Sequence, residues 1–143
     1  GPHSLVVETS TPELTAVLSE PLRYLYEPDP SVLRAGLVRS LANQLNAAQL
    51  DEDIAYLTAA SFRPTPFARA WEIETWLPFN LKHLRDILRL RKVGRVTVKK
   101  RGSPLAPDAL IRDLRLKGDQ ERVIFLTHFM GKPIVILAFP RPL

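Results

Sequence analysis

Two apolar runs near the end of the chain constrain its fold more than any other feature. They read Val-Ile-Phe-Leu at 123–126 and Ile-Val-Ile-Leu-Ala-Phe at 134–139, with a Gly-Lys turn between them. A strand with one solvated face alternates apolar and polar residues, whereas these runs are apolar throughout. They predict a hairpin over 122–130 and 133–139 that is buried on both faces. Its second face needs a cover, either the N-terminal lobe of this chain or a partner domain.

Upstream of the hairpin, strand and helix patterns alternate. Residues 70–77 read as a strand, with Trp71 on its apolar face and Trp76 on an acidic, exposed face. Asn80 is placed to cap a helix, and residues 94–116 combine a strand, a basic turn and a helix whose first turn holds Pro107. The order β-α-β-α-β-β predicts an α+β fold in which helices cover one face of a mainly antiparallel, ferredoxin-like sheet.

The first half of the chain predicts a helical lobe. Apolar residues recur at helical spacing over 30–46, with Asp29 or Ser31 as the cap. Gly36 inside this helix predicts close packing against a neighbour, because glycine otherwise weakens a helix. Residues 54–58 predict a short strand or a helical turn, and residues 5–7 a short strand.

These patterns divide the chain into three parts. Residues 1–4, Gly-Pro-His-Ser, read as the remnant of a protease cleavage site. Residues 5–66 hold a linker and the helical lobe, and residues 67–143 hold the ferredoxin-like domain. The boundary is the loop at 62–67, which contains two prolines.

Composition excludes several classes of site. With no cysteine, the chain has no disulfide and no thiolate metal site, which is compatible with the cytoplasmic location we expect. Its histidines, His3, His83 and His128, lack metal-ligand spacing, and no glycine loop suits a nucleotide. No apolar run is long enough for a bilayer. The one candidate acid–base pair is Glu27 with Asp29, for which a turn and a helix cap are the simpler interpretation.

The charge is segregated along the chain. The net charge is +5, and residues 81–101 contain nine basic residues and a single acidic one. Such a surface attracts the phosphates of RNA, although a merely solvated basic face remains the alternative. We expect the candidate RNA contacts to converge if the central strand and the helix after it pack side by side. They are Arg95, Lys99, Lys100, Arg101, Arg112, Arg115 and Lys117.

Two segments resemble a known family. They are Y-L-Y-E-P-D-P-S-V-L-R-A-G-L at 24–37 and V-K-K-R-G at 98–102, the latter followed by P-D-A-L and L-R-L-K-G. Both are similar to the C-terminal region of a bacterial family of class I S-adenosylmethionine-dependent methyltransferases, in which a ferredoxin-like, THUMP-like tail follows the catalytic domain. The resemblance implies a substrate-handling tail, with S-adenosylmethionine and the catalytic domain elsewhere in the parent protein, and with tRNA or rRNA as partner. It transfers no site residue. The matching positions are Glu27, Pro28, Arg34, Ala35, Gly36, Lys100, Arg101 and Gly102.

Three hypotheses follow from these observations. The first is an RNA-binding accessory domain without catalytic residues of its own. The second is a structural module that docks on the catalytic domain, which predicts an exposed apolar patch near 123–126 or 134–139. The third is an independent enzyme, which requires Glu27 and Asp29 to be open in one pocket.

Overall fold

The computed structural model describes residues 16–143, in which seven strands form a single sheet with four short helices. The predicted strand at 5–7 and the predicted cleavage remnant lie outside the described residues. The elements, in chain order, are β1 (Tyr24–Pro28), α1 (Pro30–Arg34), α2 (Val38–Leu45), β2 (Ala48–Asp51), β3 (Ile54–Ala59), β4 (Ala68–Pro78), α3 (Leu81–Leu90), β5 (Val93–Lys100), α4 (Pro107–Leu114), β6 (Gln120–Phe129) and β7 (Lys132–Ala138).

The sheet confirms the α+β, ferredoxin-like expectation for the second half of the chain. Its strand order is β2-β3-β1-β4-β7-β6-β5, and only the β5–β6 pair is parallel. The Asn80 side chain accepts a hydrogen bond from the amide of His83 and so caps α3 as predicted. Helices α3 and α4 cover the same face, where Leu88 and Leu114 pack with Ile124 of the hairpin.

The first half contributes strands as well as helices. Strand β1 lies between β3 and β4, so pairing passes without a break across residue 66. The single helix predicted over 30–46 is two helices, because Gly36 lies between them with φ of +69° and ends α1. Close packing at Gly36 was a wrong prediction. No atom lies within 4 Å of the position that a Cβ would occupy there, so the glycine serves the backbone angle.

Burial of both hairpin faces is confirmed, and strands provide the second cover. Phe125 and Ile136 face away from the helices and pack against Leu50, Ile54 and Tyr56 of β2 and β3. The sheet curves far enough for the β2–β3 end to reach the β6–β7 turn. There the amide of Gly131 donates to Oδ2 of Asp51 over 2.9 Å.

A β-bulge in β4 changes the predicted side-chain pattern. Trp71 is buried as expected, at 3% exposure. The pairing of β4 with β7 shifts between Ile73 and Thr75, so the residues that follow exchange faces. Trp76 therefore packs against the core beside Phe129, with ring centroids 6.3 Å apart, and is not on an exposed acidic face.

Candidate nucleic-acid interface

The seven predicted contacts fall into two groups at opposite ends of β5. Lys99, Lys100 and Arg101 lie where β5 ends, and we call them the basic turn. Arg95, Arg112, Arg115 and Lys117 lie near its start, and we call them the basic helix end. The reason is topological. Helix α4 runs back along the sheet before β6 begins beside Val93, so its C-terminus lies at the start of β5.

Close contact of two glycines fixes the geometry at the start of β5. A Cβ on Gly94 would lie 2.0 Å from the carbonyl oxygen of Gly118, and a Cβ on Gly118 would lie 2.0 Å from that of Lys92. The backbone after Lys117 therefore lies against the start of β5. This contact adds Lys92, one of the nine basic residues of 81–101, to the basic helix end.

Two residues of the basic turn are committed to contacts within the chain. The Nζ of Lys99 lies 2.8 Å from Oε1 of Glu27 and 4.7 Å from the ring centre of Trp71. The guanidinium of Arg101 lies over the ring of Tyr56 at 5.3 Å. Lys100 is exposed, and its Nζ donates to the carbonyl of Leu105 over 3.1 Å. Of the three, only Lys100 therefore presents its charge mainly to solvent.

At the basic helix end, arginines of α3 hold the C-terminus of α4. Nη2 of Arg85 donates to the carbonyl of Asp113 over 2.6 Å, and Nη2 of Arg89 donates to that of Arg115 over 3.2 Å. Cations at these carbonyls also interact favourably with the helix dipole. Arg85 and Arg89, two of the nine basic residues of 81–101, therefore have a structural role.

The remaining cations at this end are exposed. No carboxylate of residues 16–143 lies within ion-pair distance of Lys92, Arg95, Arg115 or Lys117. Arg112 reaches Oδ1 of its neighbour Asp113 only at 3.9 Å, with both side chains largely solvated. Exposed cations of this kind are available to a polyanion.

A half-buried ion-pair network lies next to the basic helix end. Glu74 accepts hydrogen bonds from Nε and Nη2 of Arg122 at 3.0 and 3.1 Å, and pairs with Arg91 at 3.0 Å. Burial acts to raise the pKa of Glu74, but the hydrogen bonds from Arg122 and Arg91 outweigh it and leave the pKa lowered. Arg91 and Arg122 therefore stabilise the fold at this end of the sheet.

Glu27 and Asp29 have separate structural partners. Both line a polar cavity of about 440 Å³, together with Arg69. Oε1 of Glu27 binds Lys99, whereas Oδ1 of Asp29 accepts from the amide and the hydroxyl of Ser31 at 2.9 and 2.7 Å. These bonds from Ser31 lower the pKa of Asp29, as expected for an ionised helix cap. The arrangement favours the predicted cap over an acid–base pair.

Two further kinds of site, a metal site and a membrane-spanning helix, were searched for among residues 16–143. Among residues 16–143, no three His, Cys, Asp or Glu side chains are grouped so as to hold a metal ion. In the same range, none of the helices has the length and apolarity that crossing a bilayer requires.

Comparisons with known proteins agree on one family. A family model described as "THUMP domain-like" matches residues 68–140, just over half of the chain. Uncharacterized S-adenosylmethionine-dependent methyltransferases from two strains of Mycobacterium tuberculosis are 36% identical over 106 residues. That match covers 74% of this chain but only 29% of theirs.

A solved structure supports the fold. The crystal structure of a candidate methyltransferase from Porphyromonas gingivalis W83 has a TM-score of 0.72 and 21% sequence identity to this chain. The similarity covers 94% of this chain and 35% of the other. At that identity the likeness is evidence for the fold alone. Together with the family model, it confirms the resemblance to a THUMP-like region.

Proposed function

Because the chain belongs to the THUMP domain-like family, we propose that it is an RNA-binding accessory domain of an S-adenosylmethionine-dependent RNA methyltransferase. The 106 residues that match make up only 29% of the length of these relatives, so the catalytic domain and the cofactor belong to the rest of the parent protein. The substrate is tRNA or rRNA, and the site of action is the cytoplasm. The chain itself contributes RNA affinity and positioning.

The basic helix end is the observation that carries this proposal. It presents Lys92, Arg95, Arg112, Arg115 and Lys117 on one end of the sheet, and backbone contacts and α3 arginines fix its position. Lysine and arginine neutralise phosphates and release counterions, which gives affinity that depends on salt more than on sequence.

The basic turn has a smaller role in the proposal. Lys99 and Arg101 are explained by their contacts with Glu27 and Tyr56. Lys100 remains exposed and adds one cation at the far end of β5, about 17 Å from Arg95 at the rise of an extended strand. An RNA that contacts both groups must follow the length of β5.

The experiment is a titration of the chain with fluorescent bulk tRNA at about 50 mM and about 200 mM salt, where phosphate contacts lose affinity steeply. We expect the double variant Arg95→Glu, Lys117→Glu to bind at least about tenfold more weakly, with a shallower salt dependence. The matched control is Lys132→Glu, an exposed cation at the β6–β7 turn. Equal affinity of the double variant and the control would refute the proposal.

The docking alternative predicted an exposed apolar patch on the hairpin, which the structure does not have. Residues 123–126 and 134–138 are buried by the chain's own helices and strands, so the isolated chain shows no apolar patch there. The enzyme alternative requires Glu27 and Asp29 to be open in one pocket. Both line one cavity, but Lys99 pairs with the carboxylate of Glu27 and Ser31 donates to that of Asp29. RNA binding is the function that the exposed charges support best.

A further inference from the structure

The two edges of the sheet differ in length and in cover. Strand β2, at one edge, has four residues, and its outer side is occupied. There the amide of Gln49 donates to the carbonyl of Val17 over 2.8 Å, and the amide of Ser19 donates to that of Gln49 over 3.0 Å. Strand β5, at the other edge, has eight residues and pairs only with β6 among residues 16–143. Native proteins usually shorten or cover an edge, because its free backbone groups can pair with another strand.

The backbone groups of β5 point alternately toward β6 and away from it. The amide of Arg101 donates to the carbonyl of Leu126 over 3.0 Å, and the register of this part of β5 with β6 is unbroken. Every second residue of a strand directs its N–H and C=O groups to the same side, so Thr97 bonds to β6 as Arg101 does. The N–H and C=O groups of Val96 and Val98 therefore point to the outer edge, where a further strand could pair with them.

The side chains of β5 define the chemistry of a strand that would fit this edge. The strand contains three cations and no carboxylate. On the face that α3 and α4 cover, Val96 and Val98 are half-buried and pack with the apolar cluster. On the other face, Arg95 and Thr97 are exposed. Opposite charges on neighbouring strands stabilise their pairing, and like charges destabilise it. A strand with apolar side chains on one face and carboxylates on the other complements both faces.

A second copy of the chain and an RNA fit this edge less well. Two β5 strands side by side would bring the cations of both into one seam. An RNA offers phosphates to Arg95, but it does not offer alternating donors and acceptors at the spacing of Val96 and Val98. A source for an acidic strand exists in a longer protein, since the matched region is only 29% of the length of the Mycobacterium tuberculosis relatives.

We propose that the outer edge of β5 binds an extended acidic segment of the parent protein from outside this chain, which adds a strand to the sheet. The inference rests on the proposed place of the chain in a longer methyltransferase, but it does not rest on RNA binding. Of the basic helix end, only Arg95 lies on β5, so RNA can still contact the cations at the end of α4.

The test adds a blocked peptide of alternating glutamate and valine, as long as β5, to the isotope-labelled chain and follows amide hydrogen exchange. Without peptide, we expect the amides of Val96 and Val98 to exchange fast and that of Thr97 slowly. The peptide should slow the two outer amides by at least about tenfold at saturation, whereas its lysine–valine counterpart should not. Slow exchange of the outer amides in the chain alone would mean that the edge is already covered, and would overturn the proposal.

Val98→Pro and Val98→Ala form a matched pair of variants. Proline removes the outward amide, which edge strands tolerate, whereas alanine keeps it. We expect Val98→Pro to bind the glutamate peptide about 3- to 10-fold more weakly than Val98→Ala, the effect of one hydrogen bond. If Val98→Pro fails to fold, Arg95→Glu supplies the second test, because it should weaken the glutamate peptide and favour the lysine peptide. Equal binding by the variants would contradict pairing through the backbone.

The parent protein checks the source of the strand. Exchange at β5, measured by mass spectrometry, should be slower in the parent protein than in the isolated chain. Equal exchange there, or peptide binding without a preference for glutamate, would overturn the proposal. Neither result would affect the proposed RNA binding, since Val98→Pro and Val98→Ala retain every cation and should bind tRNA alike within about twofold.

Discussion

Lys99 on β5 and Glu27 on β1 are joined by an ion pair of 2.8 Å, although 72 positions separate them in sequence and three strands separate them in the sheet. The pair spans the face of the sheet that curves over the core. Lys99 also lies over Trp71, which belongs to that core. The contact therefore links two strands that share no backbone hydrogen bonds.

We predict that Glu27→Gln and Lys99→Met each lower the free energy of unfolding by about 1–2 kcal/mol. The side chains are 19% and 26% exposed, so the loss is smaller than for a fully buried pair. Urea denaturation of both single variants and the double variant measures the coupling, which we expect to be about 1 kcal/mol. Arg112→Ala breaks a solvated 3.9 Å pair and should change stability by less than about 0.5 kcal/mol. Additive single effects would contradict a direct interaction.

Acid should destabilise the fold partly through Glu74. A carboxyl whose pKa is lower in the folded than in the unfolded state stabilises the fold above the unfolded pKa. That stabilisation is lost as the pH falls through the folded pKa. Because Arg122 and Arg91 lower the pKa of Glu74, we expect Glu74→Gln to lose less stability than the parent chain between about pH 6 and about pH 3.

The measurement for Glu74 is urea denaturation at both pH values. Glu52→Gln, in the exposed β2–β3 turn, is the matched control and should retain the pH dependence of the parent chain. If Glu74→Gln and the parent lose the same stability on acidification, the network does not hold the carboxylate ionised.

Gly94 should tolerate no side chain, for a steric reason. The Cβ of Gly94→Ala would lie 2.0 Å from the carbonyl oxygen of Gly118, so the backbone would have to shift where β5 and β6 begin to pair. We expect a loss of more than about 3 kcal/mol or failure to fold, measured by thermal unfolding. Gly36→Ala meets no atom and carries only the strain of a positive φ, roughly 1–2 kcal/mol. Equal effects of the two variants would contradict this distinction.

Local patterns in the sequence identified most of the second half of the fold. The caps at Asn80 and Asp29 and the apolar hairpin follow from neighbouring residues, and the structure has them in place. The β-bulge moves Trp76 to the core, and the curvature of the sheet brings Leu50 over the hairpin. Both depend on pairing between strands that are far apart in the sequence. No periodicity within a short window contains that information.

The candidate site shows the same limit. The run of basic residues at 81–101 showed where cations are concentrated in the sequence. It did not show which way their side chains point or what they bind. Lys99 binds Glu27, a residue 72 positions away, and the return of α4 separates Lys100 from Lys117. Knowing that β5 and β6 are parallel would have separated the groups, because a helix that connects parallel strands must run back along them.

Arg85 should prove structural and not an RNA contact. Its Nη2 donates to the carbonyl of Asp113 at the C-terminus of α4, over 2.6 Å. Arg85→Met keeps the apolar stem but removes this charged hydrogen bond, so we expect unfolding to become easier by about 1–2 kcal/mol. At a temperature where the variant is folded, its affinity for tRNA should match the parent within about twofold, whereas Arg95→Glu lowers it. An affinity loss for Arg85→Met as large as that for Arg95→Glu would place Arg85 among the phosphate contacts.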